Sequence, residues 1–287
     1  MINTTELDSL IRLFDDPDTE IYNHVHDKLM SYGPDVISYL ESAFVEAFDP
    51  TLQERIANLV HEIQFNGVKN ELKLWYHGGA FDLLQGVIAI NKYQYPDLDE
   101  QKIINQLEAI KRDIWLQLNN ESSPAEQIKL INHVIYNIYG FKGNTTHHQD
   151  PQNSYISQVL ESKKGNQILL AVIYSVIARK LDMPVYGVNL PQHFILAYID
   201  ESNAYQDFAD NGVLFYINAF NKGYIFGKRD VDMFLKQLNL KPEPQFYEPC
   251  SNADIVRRIL RNLISAYEQL GSMDKVAELT ELLEIVS

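Results

Sequence analysis

Apolar residues recur along this chain at helical spacing through most of its length and at strand spacing in one short region. Leu7, Leu10, Ile11 and Phe14 form one stripe and Ile21, Val25 and Leu29 another, each the face of an amphipathic helix. Asp15-Asp16-Pro17-Asp18-Thr19 separates them with turn and N-cap chemistry, Gly33-Pro34 breaks the next pair, and Ala47-Phe48-Asp49-Pro50-Thr51 repeats the earlier break. The two Asp-Pro steps lie 33 residues apart, a spacing that suits stacked helical hairpins. Two copies fall short of a free-standing solenoid, so this unit is expected to pack against the downstream domain. Gly78-Gly79-Ala80-Phe81-Asp82 predicts a turn before an apolar helix over residues 83–90. After a break at Tyr93-Gln94-Tyr95-Pro96, Ile103, Ile104, Leu107, Ile110, Ile114 and Leu118 trace a long amphipathic helix. The tyrosines of that break are expected to join the repeats to the next domain. Ser123-Pro124-Ala125-Glu126 carries a cap, a first-position proline and a capping-box glutamate, and predicts a helix toward Ile138 that ends before Gly140.

Residues 168–177 break the amphipathic pattern. They are apolar nearly all round, which predicts a helix buried on every side. Gly165 permits close backbone approach just ahead of it, Arg179 and Lys180 complement the dipole at its carboxyl end, and Pro184 stops it. Residues 185–190 and 194–199 are β-prone, with Pro191, Gln192 and His193 between them, and residues 214–218 supply a third strand. Residues 141–151 and 200–212 are loop-like, and Gly223 and Gly227 bracket another turn. Helical spacing returns with Ile255, Ile259, Leu260, Leu263 and Ile264, pauses at Gly271, and resumes through Val276, Leu279, Leu282 and Leu283. The fold class this predicts is α+β and mostly helical: a buried helix against a small antiparallel sheet, flanked by helical units.

A glycine, a buried helix and a strand opened by histidine form the layout of a papain-like thiol site. There a nucleophile at the helix amino terminus is served by a strand histidine. The stretch resembles the transglutaminase-like superfamily, and within it the bacterial SirB group, whose members carry close relatives of Asn153-Ser154-Tyr155, Lys164-Gly165-Asn166, Pro184 and Pro191-x-His193-Phe194. Enzymes of the superfamily place their cysteine two residues after the glycine and twelve before an arginine. Both counts fall on Gln167, and the thiol is absent. The resemblance puts Asn218 where the family has the aspartate that orients the histidine, a role an amide oxygen also serves. Residues 14–25 resemble HEAT-type repeats, and residues 262–285 resemble one tetratricopeptide-type hairpin. The organisation implied is HEAT-like hairpins over 1–78, a helical bridge over 79–119, a transglutaminase-like domain over 120–247, and a tetratricopeptide-like hairpin over 248–287. A single such hairpin forms no groove by stacking, so it is expected to dock on the central domain.

Charge narrows the partners. Lys plus Arg number 24 against 39 Asp plus Glu, a formal net charge of −15. Such a surface repels phosphate backbones and anionic lipid, so neither nucleic acid nor a membrane is expected as partner. The single cysteine, Cys250, forms no internal disulfide and suits a reducing compartment. Without a signal pattern at the amino terminus or an apolar run near the ~20 residues of a membrane span, the expected location is the cytoplasm. His24 and His26 do not share a helix face, His61 and His77 stand alone, and His147, His148 and Asp150 find no fourth ligand at a recognisable spacing. No metal and no cofactor is expected.

A glutamine amide is neutral and not nucleophilic, so with Gln167 in that seat the acyl-enzyme route has no first step. His193 and Asn218 then read in two ways: as a polar network closed under the helix with Gln167, or as part of a cleft that binds a peptide or amide without cleaving it. The plain reading of Cys250 is a partly buried, inert thiol, but it stands directly before a helix whose Ser251 and Asp254 have capping-box spacing, a setting that lowers a thiol pKa. The alternative function is therefore a papain-like thiol hydrolase or acyl transferase using Cys250 with His193. Ser154 and Ser162 read as turn and cap residues. The function expected first is a non-catalytic binding or scaffold module with a protein or peptide partner; the oligomeric state stays open.

Overall fold

The computed structural model describes residues 4–119, 121–200 and 212–287, so most of the loop expected over 200–212 lies outside the described residues. The chain divides into two compact units, Met1–Glu71 and Leu72–Ser287.

The first unit holds α1 (Thr4–Leu13), α2 (Thr19–Ser31), α3 (Ile37–Glu46) and the start of α4 (Pro50–His77), inside which the division falls. The stripes read from the sequence meet here: Leu7, Phe14, Val25, Leu29, Leu40, Ile56, Leu59 and Ile63 are buried together. Asp18 caps α2 by accepting from Glu20 N at 2.8 Å. Arg55 donates Nη1 to Phe14 O at 2.8 Å and Asp16 O at 3.1 Å while covering the Tyr22 ring at 4.6 Å. The carbonyls left open by the first Asp-Pro turn thus find a donor across the unit. His26 Nε2 meets Glu62 Oε2 at 3.0 Å, and His24 faces solvent.

The second unit contains, in order, α5 (Leu83–Gln94), α6 (Glu100–Trp115), α7 (Pro124–Asn132), β1 (Lys142–Gly143), α8 (Ile156–Ser162), β2 (Lys164–Gly165) and α9 (Gln167–Arg179). Next come β3 (Val185–Val188), β4 (Ile195–Ile199), β5 (Val213–Asn218), β6 (Tyr224–Phe226), α10 (Lys228–Gln237), α11 (Asn252–Gln269) and α12 (Met273–Ile285). This is the α+β, mostly helical architecture the pattern predicts. Residues 168–178 of α9 are all buried, with α5, α6, α8 and α11 packed around them and β3 and β4 against one side. Each fully buried aliphatic side chain there contributes about 1.5–3 kcal/mol over an exposed one.

Four strands form one antiparallel sheet in the order β3-β4-β5-β6. Alternation along β4 divides its side chains between two helices. Ile195, Ala197 and Ile199 join Tyr216 and, from α10, Val231 and Leu235 in one cluster. Leu196, paired with Ile217, turns to the other face, and both are fully buried.

Three local features differ from the expectation. Lys142 and Gly143 leave the loop to pair in parallel with Lys164 and Gly165, a contact too short to show any period. The turn expected between Gly223 and Gly227 is the strand β6, and α10 comes after it, built on the Val231 and Leu235 spacing. The tyrosines of the 93–96 break act within the second unit. Tyr93 OH donates to Glu278 at 2.7 Å, and the Tyr95 ring meets Tyr155 edge-on at 5.6 Å, while Tyr155 OH lies 3.2 Å from Tyr267 OH. They fasten α5 to α11 and α12. At the far side of the sheet, Tyr174 donates to Asn132 Oδ1 at 2.8 Å and Asn132 Nδ2 donates to Gly223 O at 2.8 Å. Gly223 has φ +70°, and a Cβ there would sit 1.8 Å from Asn132 Oδ1, so only glycine fits this crossing.

Candidate functional site

The motif residues converge on the amino terminus of α9. Asn166 caps it, accepting from Leu169 N at 2.9 Å, and its Nδ2 donates to Ser154 Oγ at 2.8 Å. Asn153, buried, accepts from Asn144 Nδ2 at 2.9 Å and donates to His147 O at 2.7 Å, tying the 144–147 loop beside the helix start. Gly165 allows this approach: a Cβ on it would lie 2.9 Å from Val159 Cγ1. Asn153, Ser154, Gly165 and Asn166 therefore build one scaffold whose product is a fixed first turn of α9.

Gln167 is the first residue of that turn. Its Oε1 accepts the backbone N–H of Phe194 at 3.1 Å. A backbone N–H only donates, so the carboxamide orientation is set: the oxygen closes onto the start of β4 and the NH₂ group is left pointing elsewhere. The side chain in the nucleophile's seat is thus a structural tie between α9 and the sheet.

His193 precedes Phe194, at the end of a turn closed by its own N–H to Leu190 O at 3.1 Å, with Gln192 at φ +60°. Its ring packs edge-on against Phe234 of α10, centroids 4.8 Å apart at 74°. Among the described residues the imidazole makes no hydrogen bond. Burial, and then the charge of Arg258, holds its pKa below the ordinary value and favours the neutral ring. Asn218 caps the short turn after β5, its Oδ1 accepting from Asn221 N at 3.0 Å. So Gln167 and the backbone beside His193 are brought together, while Asn218 and the His193 ring are each engaged with another neighbour.

Cys250 sits just ahead of α11, and its N–H donates to Gly187 O of β3 at 2.8 Å. The capping box expected there is formed, with Ser251 and Asp254 bonded reciprocally. The thiol beside it is the buried, inert one of the two readings, not the activated one. Burial first, and the Asp254 carboxylate next, push the Cys250 pKa up to about 12. The helix dipole loses to desolvation and to the very carboxylate that caps the helix. At neutral pH the sulfur is a protonated thiol.

A cleft of about 340 Å³ opens over the start of α9, lined by Ser154, Asn166, Gln167, Gln192, Phe194 and one polar face of α11. That face carries Arg258, Asn262, Ser265 and Gln269, with Asn144, His148, Gln149 and Asp150 on the opposite rim. Neither Cys250 nor His193 is among the described residues that line it. Sequence reasoning missed the α11 face. Its signal was present as polar residues at helical spacing, which in an amphipathic helix is indistinguishable from a solvated surface. Among the described residues no group of three or more His, Cys, Asp or Glu is placed to hold a metal ion, and no helix is long and apolar enough to cross a membrane.

Residues 101–261, more than half of the chain, match the family described as the transglutaminase-like superfamily. The chain is 28% identical over 222 residues to a UPF0162 protein of Xylella fastidiosa (strain 9a5c), covering 72% of this chain and 74% of that protein. It is 23% identical over 205 residues to the UPF0162 protein YchA of Escherichia coli (strain K12), covering 70% and 72%. It is also 27% identical over 211 residues to F-box only protein 21 of Mus musculus, covering 66% of this chain and 33% of that larger protein. No solved structure matches.

Proposed function

This chain belongs to the transglutaminase-like superfamily, and from that premise we propose that it is a non-catalytic member, a binding or scaffold module whose cleft holds a ligand without cleaving it. The observation that carries this reading is Gln167 Oε1 on Phe194 N at 3.1 Å: the seat from which covalent attack starts in the enzymes holds an amide engaged in a structural bond. Two facts support it. The Cys250 thiol, pushed up to about 12, is protonated at neutral pH, and the His193 ring packs on Phe234 outside the cleft lining. The rival, a thiol hydrolase or acyl transferase pairing Cys250 with His193, needs a thiolate that this environment disfavours.

We propose further that the chain is a SirB-group protein of the cytoplasm, with HEAT-like hairpins over 1–78, a bridge over 79–119, the core over 120–247 and a tetratricopeptide-like hairpin over 248–287. Its partner is a protein or peptide. The test is a pair of assays on the full chain. Hydrolysis and transamidation of peptide esters and amides should be indistinguishable between wild type, His193→Ala and a blank. Amide-bearing peptides should raise the melting temperature of wild type, and less that of Gln167→Leu. Turnover that disappears in His193→Ala sinks the proposal, as does the absence of any melting shift across the peptides.

A further inference from the structure

The cleft's chemistry is uneven, and the unevenness lies at Arg258. Both hydrogens of its Nη1 are spent holding the β3–β4 turn: Nη1 donates to Asn189 Oδ1 and, at 3.1 Å, to Leu190 O. Nε and Nη2 have no partner among the described residues, and no carboxylate forms an ion pair with this guanidinium. No buried side-chain nitrogen or oxygen lacks a partner among the described residues, so these free donors reach solvent, on a residue that lines the cleft. Nε–H and one Nη2–H run parallel, the two-pronged edge that matches the oxygens of a carboxylate. The fork is held in place, because Nη1 anchors it to the turn. In a chain of net charge −15, a fixed, unpaired guanidinium edge in a cleft is a positive site left open.

We propose that the cleft takes a ligand carrying one carboxylate on an amide- or hydroxyl-bearing body: the carboxylate on the Arg258 fork, the body along the carboxamides of Gln149, Gln192, Asn262 and Gln269. This deepens the non-cleaving reading above and rests on it. Those four side chains line the cleft and spend no hydrogen bond on the described residues, so each offers a donor and an acceptor to a neutral polar body. The Gln167 NH₂ group adds donors, its oxygen being engaged with Phe194. A phosphate fits less well. Arg258 is the one permanent cation among the described lining residues, and Asp150 stands on the opposite rim, so a second negative charge goes unmatched. The carboxylate has two sources: the free carboxyl end of a peptide, or a small hydroxy acid.

The experiment is titration calorimetry on the full chain at low salt with N-acetyl-glutaminylglycine, its carboxyl-terminal amide, gluconate, glucose, acetate and inorganic phosphate. The expected result is that at least one acid binds about tenfold or more tightly than its neutral counterpart, the loss expected for a charge-assisted pair. The advantage should vanish in Arg258→Gln and shrink with added salt. The peptide acid or gluconate binding alone names the source. Arg258→Gln also loosens the β3–β4 turn, so the acid-against-amide ratio in wild type carries the test by itself. Equal binding of acid and amide overturns the carboxylate assignment and leaves the non-cleaving reading standing. Phosphate binding more tightly than acetate overturns it as well. No binding by any probe overturns the inference, and the turnover assay then judges the non-catalytic reading separately.

Discussion

Replacing Gln167 with leucine removes, for the ligand-free fold, one engaged acceptor; the NH₂ donors lost with it have no partner among the described residues. The side chain keeps its apolar stem and much of its volume, so the measurable change is the fate of the Phe194 N–H that Gln167 Oε1 accepts at 3.1 Å. A polar group left unsatisfied in the interior costs about 1–3 kcal/mol. Both residues line the cleft, and a cleft water taking up the N–H in the variant sets the expected cost at the low end, about 1 kcal/mol. For a folded unit of this size that is a fall in Tm of about 2–4 °C. Gln167→Glu sets the control. A carboxylate keeps the acceptor, sits at the positive end of α9 and shares the cleft with Arg258, so its Tm should equal or exceed that of wild type. The site-specific assay is hydrogen exchange at the Phe194 amide: protection lost in the leucine variant, kept in the glutamate variant. A leucine variant with wild-type protection, or a glutamate variant weaker than the leucine one, refutes the assignment of Gln167 as a tie.

The pKa of His193 is depressed in the folded state, so the neutral ring's contribution to stability is full above the ordinary value near 6.5 and is lost as pH falls through the lower folded-state pKa. In His193→Phe, urea midpoints measured from pH 7.5 down to 5 should fall less steeply than in wild type. Gly223→Ala should cost about 2–4 kcal/mol in urea melts, because φ +70° and the 1.8 Å approach to Asn132 Oδ1 act together. Asn166→Ala removes the cap of α9 and the link to Ser154, and should lower stability by about 1–2 kcal/mol, with the loss concentrated in hydrogen exchange at the first turn of α9.

The parts of the fold that announce themselves in sequence are those with a long period or a fixed cap. Residues 168–178 are buried all round because their run of apolar residues leaves no polar face. Ser123 with Glu126 and Ser251 with Asp254 both form capping boxes at the spacing that suggests them. The hidden parts are single contacts between distant segments. The pairing of Lys142 with Lys164 has no period to detect. β6 spans three residues between two glycines, and glycines at both ends read as a turn. At the site, Gln167 is legible as a position, but its bond to Phe194 N depends on where the sheet lies. For Cys250 the sequence shows the helix terminus directly and leaves burial to inference, and burial is what sets the thiol pKa. Arg258 escapes because its significance comes from the Asn189–Leu190 turn that occupies half of its guanidinium.

Cys250 is the chain's single sulfur nucleophile, so one spectrum tests the central claim. Wild type and His193→Ala are exposed at neutral pH to an excess of an activated peptide thioester, and the intact protein masses are read over time. A protonated, buried thiol and a glutamine in the nucleophile's seat predict no acyl adduct beyond the slow, His193-independent background, with fast modification of Cys250 only on unfolding. A stoichiometric adduct on folded wild type that His193→Ala abolishes would establish a working thiol–imidazole pair and contradict the account.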